Sequence, residues 1–339
     1  MKKYLISENG NFYKANLHCH SNLSDGELTP EEMKKIYMER GYSIIAYTDH
    51  DIFIPHPELN DEKFLALNGF EMEINEERDT DFINIKTCHL CFIAIKPDNL
   101  NQICYHRTKY AFANSIENRK YVQFDDTKED YERHFNPETI NDIIKIGREN
   151  GFFVTYNHPT WSLEDYKDYI NYEGMNAFEI YNHSSYSIGY LENNQRVYDD
   201  ILRSGKRIFC IAADDNHNHG DINKRNYDSF GGFTMIKAPK LEYETITDAL
   251  QKGDFYASEG PLINELYFED GKIYVECSDA DRIVLTVGRR RSNIVFAEDK
   301  PLNQASFDIC PEDVYVRITV FDKEGKSANT NAYFTDELF

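Results

Sequence analysis

Short apolar runs alternate with longer polar stretches over the first two thirds of the chain. Seven of these runs have the length of buried strands, and helix signals lie between them. The predicted strands span 12–18, 43–48, 64–70, 89–95, 152–157, 177–181 and 208–213. Strands that alternate with helices indicate an α/β fold around a parallel sheet, and seven of them favour a barrel over an open sheet.

Capping residues predict where two of the helices begin. Thr29 supplies a cap residue and Pro30 a first-turn proline, and Gly41 ends the helix that follows. A second helix is predicted from Asn136 to Gly151 by the same kind of signal. Both helices lie between predicted strands, as a β/α alternation requires.

Two regions depart from this alternation. Residues 97–136 lack periodicity and carry many charged and aromatic side chains, which indicates an insertion or lid where we expect substrate selection. After about residue 260 the pattern changes to short alternating runs separated by turns such as Asp270-Gly271, which predicts a small sandwich-like, all-β module. The predicted domains are therefore a barrel over 1–260 and a C-terminal β module over 261–339.

Composition limits the partners. A formal net charge of −22 over 339 residues argues against extended binding to nucleic acid, which requires many Lys and Arg. No apolar run approaches the roughly 18 residues of a membrane helix, so no membrane partner is expected.

The first residues lack the apolar stretch of a signal peptide, and seven scattered cysteines are typical of reduced thiols. We therefore expect a cytoplasmic protein that acts on a small molecule.

Histidines and carboxylates cluster where the predicted strands end or begin. The first strand ends in His18-Cys19-His20, and alternate strand residues point to the same side, so both imidazoles can reach one metal. Active sites of β/α barrels lie at the carboxyl ends of the strands. The polar positions at these strand ends, besides His18 and His20, are Asp25, Asp49, His50, Asp51, Glu71, Glu73, His89, His158, Asp214, Asp215 and His217, and they are the candidate site residues. Asp214 precedes Asp215 and is a competing ligand, although the D-x-H spacing favours Asp215.

These motifs, in this order over about residues 16–220, resemble the PHP (polymerase and histidinol phosphatase) superfamily. A closer similarity, to the carbaryl-hydrolase-like (CehA/McbA) branch, is carried by 16–20, 157–161, 196–200, 214–217 and 255–261. The resemblance implies a distorted (β/α)7 barrel that holds up to three metals. It implies one metal on His18, His20, Glu71 and Asp215, a second on Glu71, His89 and His158, and a third on Asp25, His50 and His217.

Ligands of this kind suggest hydrolysis. Histidine and carboxylate without thiolate suit two or three divalent ions of Zn, Mn, Fe or Mg, and a hydroxide that bridges such ions attacks esters. Three dications, the three carboxylates and one hydroxide would leave about two positive charges, which favours a small anionic phosphoester as substrate. We predict catalytic roles for Glu71, Asp215 and Asp49, where Asp49 either orients His50 or acts as an outer acid or base.

Two other functions remain open from the sequence. A carboxyl-ester or carbamate hydrolase would use the same metals on a neutral carbonyl, and a catalytically silent binding protein would keep the metals without turnover. Among the remaining side chains, Glu179 at the end of the sixth strand, followed by Asn182 and His183, is a candidate for supporting the ligands from behind. His56, His106, His134 and His219 match no motif and are predicted to lie on the surface.

Overall fold

The computed structural model describes residues 2–339, which form a mixed α/β protein. Its α-helices are α1 (Pro30–Met38), α2 (Ser115–Asn118), α3 (Pro137–Glu149), α4 (Tyr166–Tyr169), α5 (His183–Ser187), α6 (Gln195–Arg203) and α7 (Tyr243–Lys252). Its strands are β1 (Lys3–Tyr4), β2 (Asn11–Asn16), β3 (Ile44–Tyr47), β4 (Leu65–Asn75), β5 (Thr87–Ala94), β6 (Asn101–Gln102), β7 (Gln123–Phe124), β8 (Phe152–Asn157), β9 (Ala177–Asn182), β10 (Phe209–Ala213), β11 (Phe233–Ala238), β12 (Phe255–Ser258), β13 (Ile263–Glu269), β14 (Lys272–Ala280), β15 (Arg282–Val287), β16 (Asn293–Phe296), β17 (Leu302–Asp308), β18 (Tyr315–Phe321), β19 (Ser327–Thr330) and β20 (Tyr333–Phe334).

The seven predicted strands are present as β2, β3, β4, β5, β8, β9 and β10. The predicted helix starts are confirmed as well. The Thr29 side chain accepts the Glu32 N–H and the Glu32 carboxylate accepts the Thr29 N–H, while Asn136 caps α3 through the Thr139 N–H. Local capping chemistry was therefore sufficient to predict where α1 and α3 begin.

The prediction of an all-parallel sheet is wrong at β5. This strand runs antiparallel to both of its neighbours, β4 and β8, whereas β2, β3 and β4 are parallel, as are β8, β9 and β10. The physical reason is the connection of residues 76–86, which is too short for the dozen or more residues of a parallel crossover. As a consequence, His89 near the start of β5 lies opposite Glu73 near the end of β4.

The strands form one curled sheet whose path continues into the C-terminal region. The order is β10-β9-β8-β5-β4-β3-β2-β11-β12-β19-β18-β15-β16, so among the described residues no strand ladder closes from β10 back to β2. The two segments instead meet beyond their carboxyl ends, where the Asp215 N–H donates to His18 O and the His20 N–H donates to Asn216 O. One apolar cluster includes side chains of all seven predicted strands, and a larger one packs other side chains of β4, β5, β8, β9 and β10 against α3 and α6.

The C-terminal region is antiparallel β structure, as the alternating pattern predicts. Strands β13, β14 and β17 form a second sheet, and apolar side chains between this sheet and β15, β18 and β19 form its core. The predicted hairpin at Asp270-Gly271 is present, with both residues at positive φ. Strand β1 joins the second sheet by pairing with β13, so Lys3 and Tyr4 pack with the C-terminal β structure. The division near residue 260 stays a prediction.

Among residues 2–339, no helix has both the length and the apolar character needed to cross a membrane.

Candidate metal centre

All nine predicted metal ligands lie at one end of the curled sheet, and we call them the ligand cluster. Their nitrogen and oxygen atoms form overlapping groups in which every ligand atom lies within 4.8 Å of the others. The groups are His20, Asp25, His50 and His217; His18, His158 and Asp215; His18, Glu71 and Cys91; and His50, Glu71 and His89. Residues that are as much as 199 positions apart in the chain thus face one another in a buried site.

Glu71 lies at the centre of the ligand cluster. Its carboxylate approaches five imidazoles at 3.1 to 3.4 Å, those of His18, His20, His50, His89 and His158. Burial alone would raise the pKa of Glu71, but the neighbouring imidazoles lower it well below its usual range. Glu71 is therefore ionised and shared between the groups.

The remaining carboxylates stand on either side of His20. Asp215 Oδ1 lies 3.0 Å from His20 Nε2 and 3.1 Å from His18 Nε2, while Asp25 Oδ2 lies 3.4 Å from His217 Nε2. The group around Asp25 contains the three residues that the resemblance places on a third metal, with His20 added. The other groupings differ from the implied ones, because His158 lies with His18 and Asp215. How the ligands divide among metals stays a prediction.

Several buried atoms of the ligand cluster lack the partners that a bound cation would supply. Five of its buried atoms have no hydrogen-bond partner within the described chain: His20 Nδ1, His50 Nδ1, both ring nitrogens of His89, and Glu71 Oε2. Buried polar atoms are normally paired, so such a concentration calls for a missing partner. Burial, together with the neighbouring imidazoles His50 and His217, lowers the pKa of His20 to about 4. A neutral imidazole is the form that binds a metal.

Three imidazoles of the ligand cluster are oriented by contacts to Nδ1, on the side of the ring away from the cluster. His18 Nδ1 lies 3.0 Å from Glu179 Oε1, His158 Nδ1 lies 3.2 Å from Ser162 Oγ, and His217 Nδ1 lies 3.0 Å from the Asp215 carbonyl. In each ring this leaves Nε2 facing the cluster. The pattern is typical of metal-binding histidines, which donate their second N–H to a carboxylate or carbonyl. Glu179 also accepts the His158 N–H, so it supports two ligands at once.

The backbone is strained at three positions around the cluster. Asp51, His158 and Asp215 have φ values of 57°, 25° and 52°, in the region that non-glycine residues rarely adopt. Each such conformation costs about 1 to 3 kcal/mol and persists where the surrounding structure enforces it. Two of these three residues, His158 and Asp215, belong to the ligand cluster.

Asp49 and Asp214 face away from the cluster. Asp49 accepts hydrogen bonds from Ser21 N–H and Ser24 Oγ at 2.8 and 2.6 Å, and thereby holds the loop that leads to Asp25. Asp214 accepts the N–H groups of 230–232. Asp215 is therefore the carboxylate that faces the imidazoles. A role for Asp49 as acid or base stays a prediction.

A cavity of about 500 Å³ opens over the ligand cluster. Its floor includes Asp25, His50, Glu71, His89, His158, Asp215 and His217, and its walls include Phe82, Tyr110, Phe112, Trp161 and Ile188. Tyr110 and Phe112 belong to the insertion of residues 97–136, where the sequence places substrate selection. Among the described residues that line the cavity, none is a lysine or arginine. Positive charge at this site would therefore have to come from bound metal or from protonated imidazoles, since neighbouring carboxylates raise the pKa of His158 and His217 to about 9.

The four histidines that were predicted to lie on the surface divide into two pairs. His134 and His219 are exposed, as predicted. The surface prediction is wrong for His56 and His106, which are buried. His106 Nδ1 accepts the backbone N–H groups of Thr108 and Lys109, so it organises a turn of the insertion.

Sequence reasoning missed several residues of the site. The Cys91 thiol lies beside His18 and Glu71, and burial raises its pKa to about 12, so it stays protonated and is a poor ligand at neutral pH. Arg133 of the insertion forms a buried ion pair with Asp51 at 2.6 Å, next to His50. A charge pair that joins distant segments leaves no local pattern. Only the run of charged residues in 97–136 hinted at it.

Comparisons with known proteins give partial likenesses. No protein-family model matches the chain, and no curated protein matches it. A solved two-domain protein from Bacteroides vulgatus, which contains a predicted PHP-like metal-dependent phosphoesterase, is 14% identical with a TM-score of 0.47, over 98% of this chain and 97% of its own. A proposed metal-dependent phosphoesterase from Bifidobacterium adolescentis is 15% identical with a TM-score of 0.39, over 64% and 92% of the two chains.

An amidohydrolase from Chromobacterium violaceum, solved with bound sulfate and no metal, is also similar. It is 15% identical with a TM-score of 0.35, over 61% of this chain and 88% of its own. None of these likenesses reaches 25% identity or a TM-score of 0.5. We therefore base the functional proposal on the side chains of the site.

Proposed function

We propose that this protein is a metal-dependent hydrolase of the PHP superfamily and, within it, a phosphoesterase that acts on a small anionic substrate. The observation that carries the proposal is the ligand cluster itself. Nine histidines and carboxylates from separate segments of the chain converge in groups whose ligand atoms lie within 4.8 Å of one another, and five of their buried atoms lack a hydrogen-bond partner among residues 2–339. Histidine and carboxylate ligands suit Zn, Mn, Fe or Mg. The distorted (β/α)7 barrel, the trinuclear site and the carbaryl-hydrolase-like branch belong to the same proposal.

Divalent metals bound here would acidify a water molecule and neutralise charge on the leaving oxygen. The side chains of the protein would hold these metals in place. Glu71 is buried between five imidazoles and can contact more than one ion, and Glu179 fixes the ring of His18. Asp25 stands at the cavity, where it faces both His50 and His217. No covalent nucleophile of the protein is required.

The charge of the site depends on how many metals it holds. Asp25, Glu71 and Asp215 carry three negative charges, and the described cavity lining offers no lysine or arginine to offset them. Three dications would leave a net positive site, whereas two would leave it about neutral once a hydroxide is counted. An anionic substrate is therefore favoured only with three ions. Glu73, which also lines the cavity, makes this requirement stricter.

A carboxyl-ester or carbamate hydrolase is the second candidate. It is favoured by the walls of the cavity, which are aromatic or aliphatic at Phe82, Phe112, Trp161 and Ile188. Such walls suit an uncharged organic group better than a polyanion. The same ligands would serve both reactions.

The test compares substrates on protein of known metal content. The protein is stripped with chelator, reloaded with Mn or Zn, and its metal stoichiometry is measured before turnover of phosphomonoesters, phosphodiesters and neutral aryl esters is recorded. We expect three ions per chain, competitive inhibition by inorganic phosphate, and a preference for phosphoesters of at least about tenfold in kcat/KM, or about 1.4 kcal/mol. The opposite preference would favour the carboxyl-ester hydrolase. Bound metal without turnover of any of these substrates would favour the silent binding protein.

The location of the protein and its domain limits are also proposals. We propose a cytoplasmic protein with a barrel domain up to about residue 260 and a separate β module after it. The net charge of −22 argues against extended nucleic acid as a partner.

A further inference from the structure

A buried carboxylate stands behind one wall of the cavity. Glu192 is fully buried and lies in the loop between α5 and α6. Its oxygens accept the backbone N–H groups of Thr160 and Trp161 at 3.1 and 2.8 Å, and the side-chain amide of Asn194 at 2.5 Å. Within the described chain it has no lysine or arginine in an ion pair. A buried charge without a cation is costly, so its hydrogen bonds to this turn call for a reason.

The turn that Glu192 holds carries Trp161, the single tryptophan of the chain. The Trp161 ring meets the rings of His89 and His158 at centroid distances of 5.4 and 5.3 Å, both close to edge-on, and it lines the cavity. It therefore contacts two members of the ligand cluster and faces the substrate space at the same time. A shift of the turn would move this wall relative to both.

The loop of Glu192 is itself anchored to the sheet. The Asn182 N–H donates to Glu192 O at 3.2 Å and the Asn194 N–H donates to Ile180 O at 2.7 Å, so the loop runs beside the end of β9. On its outer side, the Asn193 amide donates to Glu259 Oε2 at 3.1 Å, and Glu259 accepts the Ser327 N–H of β19. The wall is thus fixed to rigid strands rather than to a free loop.

We propose that Glu192 is a positioning residue that holds Trp161 against His89 and His158 and so sets the width of the cavity. Two charge-assisted hydrogen bonds to adjacent N–H groups fix both the place and the direction of the turn, which one neutral acceptor cannot do. Glu192 does not touch the cavity. Its effect on catalysis rests on the proposed hydrolase function, whereas its effect on Trp161 does not.

The experiment uses Glu192→Gln in the full chain. Glutamine has the same shape, but its side-chain NH2 group takes the place of one carboxylate oxygen. That group cannot accept from a backbone N–H, so the hydrogen bond to either Thr160 or Trp161 is lost. Trp161 is the only tryptophan, so intrinsic tryptophan fluorescence reports its surroundings directly. In metal-free protein we expect a red-shifted emission maximum and about a twofold rise in quenching by acrylamide. Glu62→Gln, an exposed change of the same chemistry, should leave both unchanged.

Turnover provides the second measurement. We expect KM to rise about tenfold with kcat within about twofold and the metal content unchanged, since no ligand is altered. If Glu192→Gln does not fold, Glu192→Asp keeps the charge, withdraws the carboxylate by one methylene, and takes its place with the same measurements. Unchanged fluorescence in the folded variant would overturn the proposal. A shifted fluorescence in a protein that turns over no substrate would support the positioning role while rejecting the hydrolase.

Discussion

Two buried groups of charges in this protein are built on opposite principles. On one side of the molecule, Arg317 of β18 forms two parallel hydrogen bonds of 2.9 Å with Asp199 of α6, and Tyr315 and Thr319 complete the arrangement. Nearly every donor there meets an acceptor. In the ligand cluster, six imidazoles crowd around three carboxylates, and several buried atoms have no hydrogen-bond partner among residues 2–339.

The difference separates a structural ion pair from a binding site. The Arg317–Asp199 pair joins helix α6 to the C-terminal β structure and is complete within the chain. The ligand cluster adds backbone strain at His158 and Asp215 to its unpaired atoms, so it costs free energy that folding alone does not return. Binding of a cation would recover that cost. Four substitutions test this comparison, from the largest expected effect to the smallest.

Glu71→Gln should have the largest effect, because it removes the one carboxylate shared by five imidazoles. We expect kcat/KM to fall at least about ten-thousandfold, or about 5.5 kcal/mol. In the parent protein, metal at one hundred times its Kd should raise the free energy of unfolding by about 2.7 kcal/mol, and this gain should vanish in the variant. Turnover and thermal unfolding with and without chelator measure both. Glu62→Gln is the control, and a variant that kept near-native turnover would refute the assigned centre.

Arg317→Met tests the complete pair. Loss of the guanidinium leaves Asp199 buried and unpaired, so the free energy of unfolding should fall by about 3 to 5 kcal/mol. Urea unfolding measures this, and turnover per folded molecule should not change. The double variant Arg317→Met with Asp199→Leu should recover most of the loss, since it removes both charges. A single variant as stable as the parent would mean that the pair is dispensable.

Glu164→Gln adds a third case to the comparison, a buried carboxylate whose hydrogen-bond partners are uncharged. Glu164 is buried and accepts hydrogen bonds from the hydroxyls of Tyr156 and Tyr172, and burial raises its pKa to about 8. A raised folded pKa means that the folded state retains a proton that the unfolded state releases. Stability is therefore highest below about pH 4.5 for this group and is lost as the pH rises through 8.

The expected loss for Glu164 is about 3 kcal/mol between pH 5.5 and 8, because each pH unit within that window costs about 1.4 kcal/mol. Glutamine does not titrate, so the variant should be less sensitive to pH and more stable than the parent at pH 8.5. Thermal unfolding at both pH values measures the slope. Equal slopes in the two proteins would show that Glu164 is ionised when folded.

Asp49→Asn should have the smallest effect and decides the role of that residue. Its hydrogen bonds to Ser21 and Ser24 hold the loop of Asp25, so we expect metal affinity to fall about 10- to 100-fold with the pH profile of kcat unchanged. Metal titration and a pH series measure the two separately. Ser24→Ala should change affinity in the same direction but less. Loss of one limb of the pH profile would instead identify Asp49 as an acid or base.

Much of the fold could be predicted because its signals are local. The strand from 152 to 157 was placed to the residue, and the caps at Thr29 and Asn136 were read from adjacent side chains. The direction of β5 was predicted wrongly, since strand direction depends on the length of the preceding connection rather than on the residues of the strand. Strand β1 was not predicted at all, because it is two residues long and pairs with a strand some 260 positions later.

For the site, the sequence by itself determined which residue types stand at the strand ends. Motifs such as His18-Cys19-His20 and Asp215-Asn216-His217 carry their spacing within a few residues, so one chain is enough to recognise them. Tertiary structure alone decided which of these atoms meet and that Glu192 accepts hydrogen bonds from the turn of Trp161, whereas it agreed with the D-x-H spacing that Asp215 faces the imidazoles. These contacts join segments far apart in the chain, and their geometry depends on how the whole sheet curls.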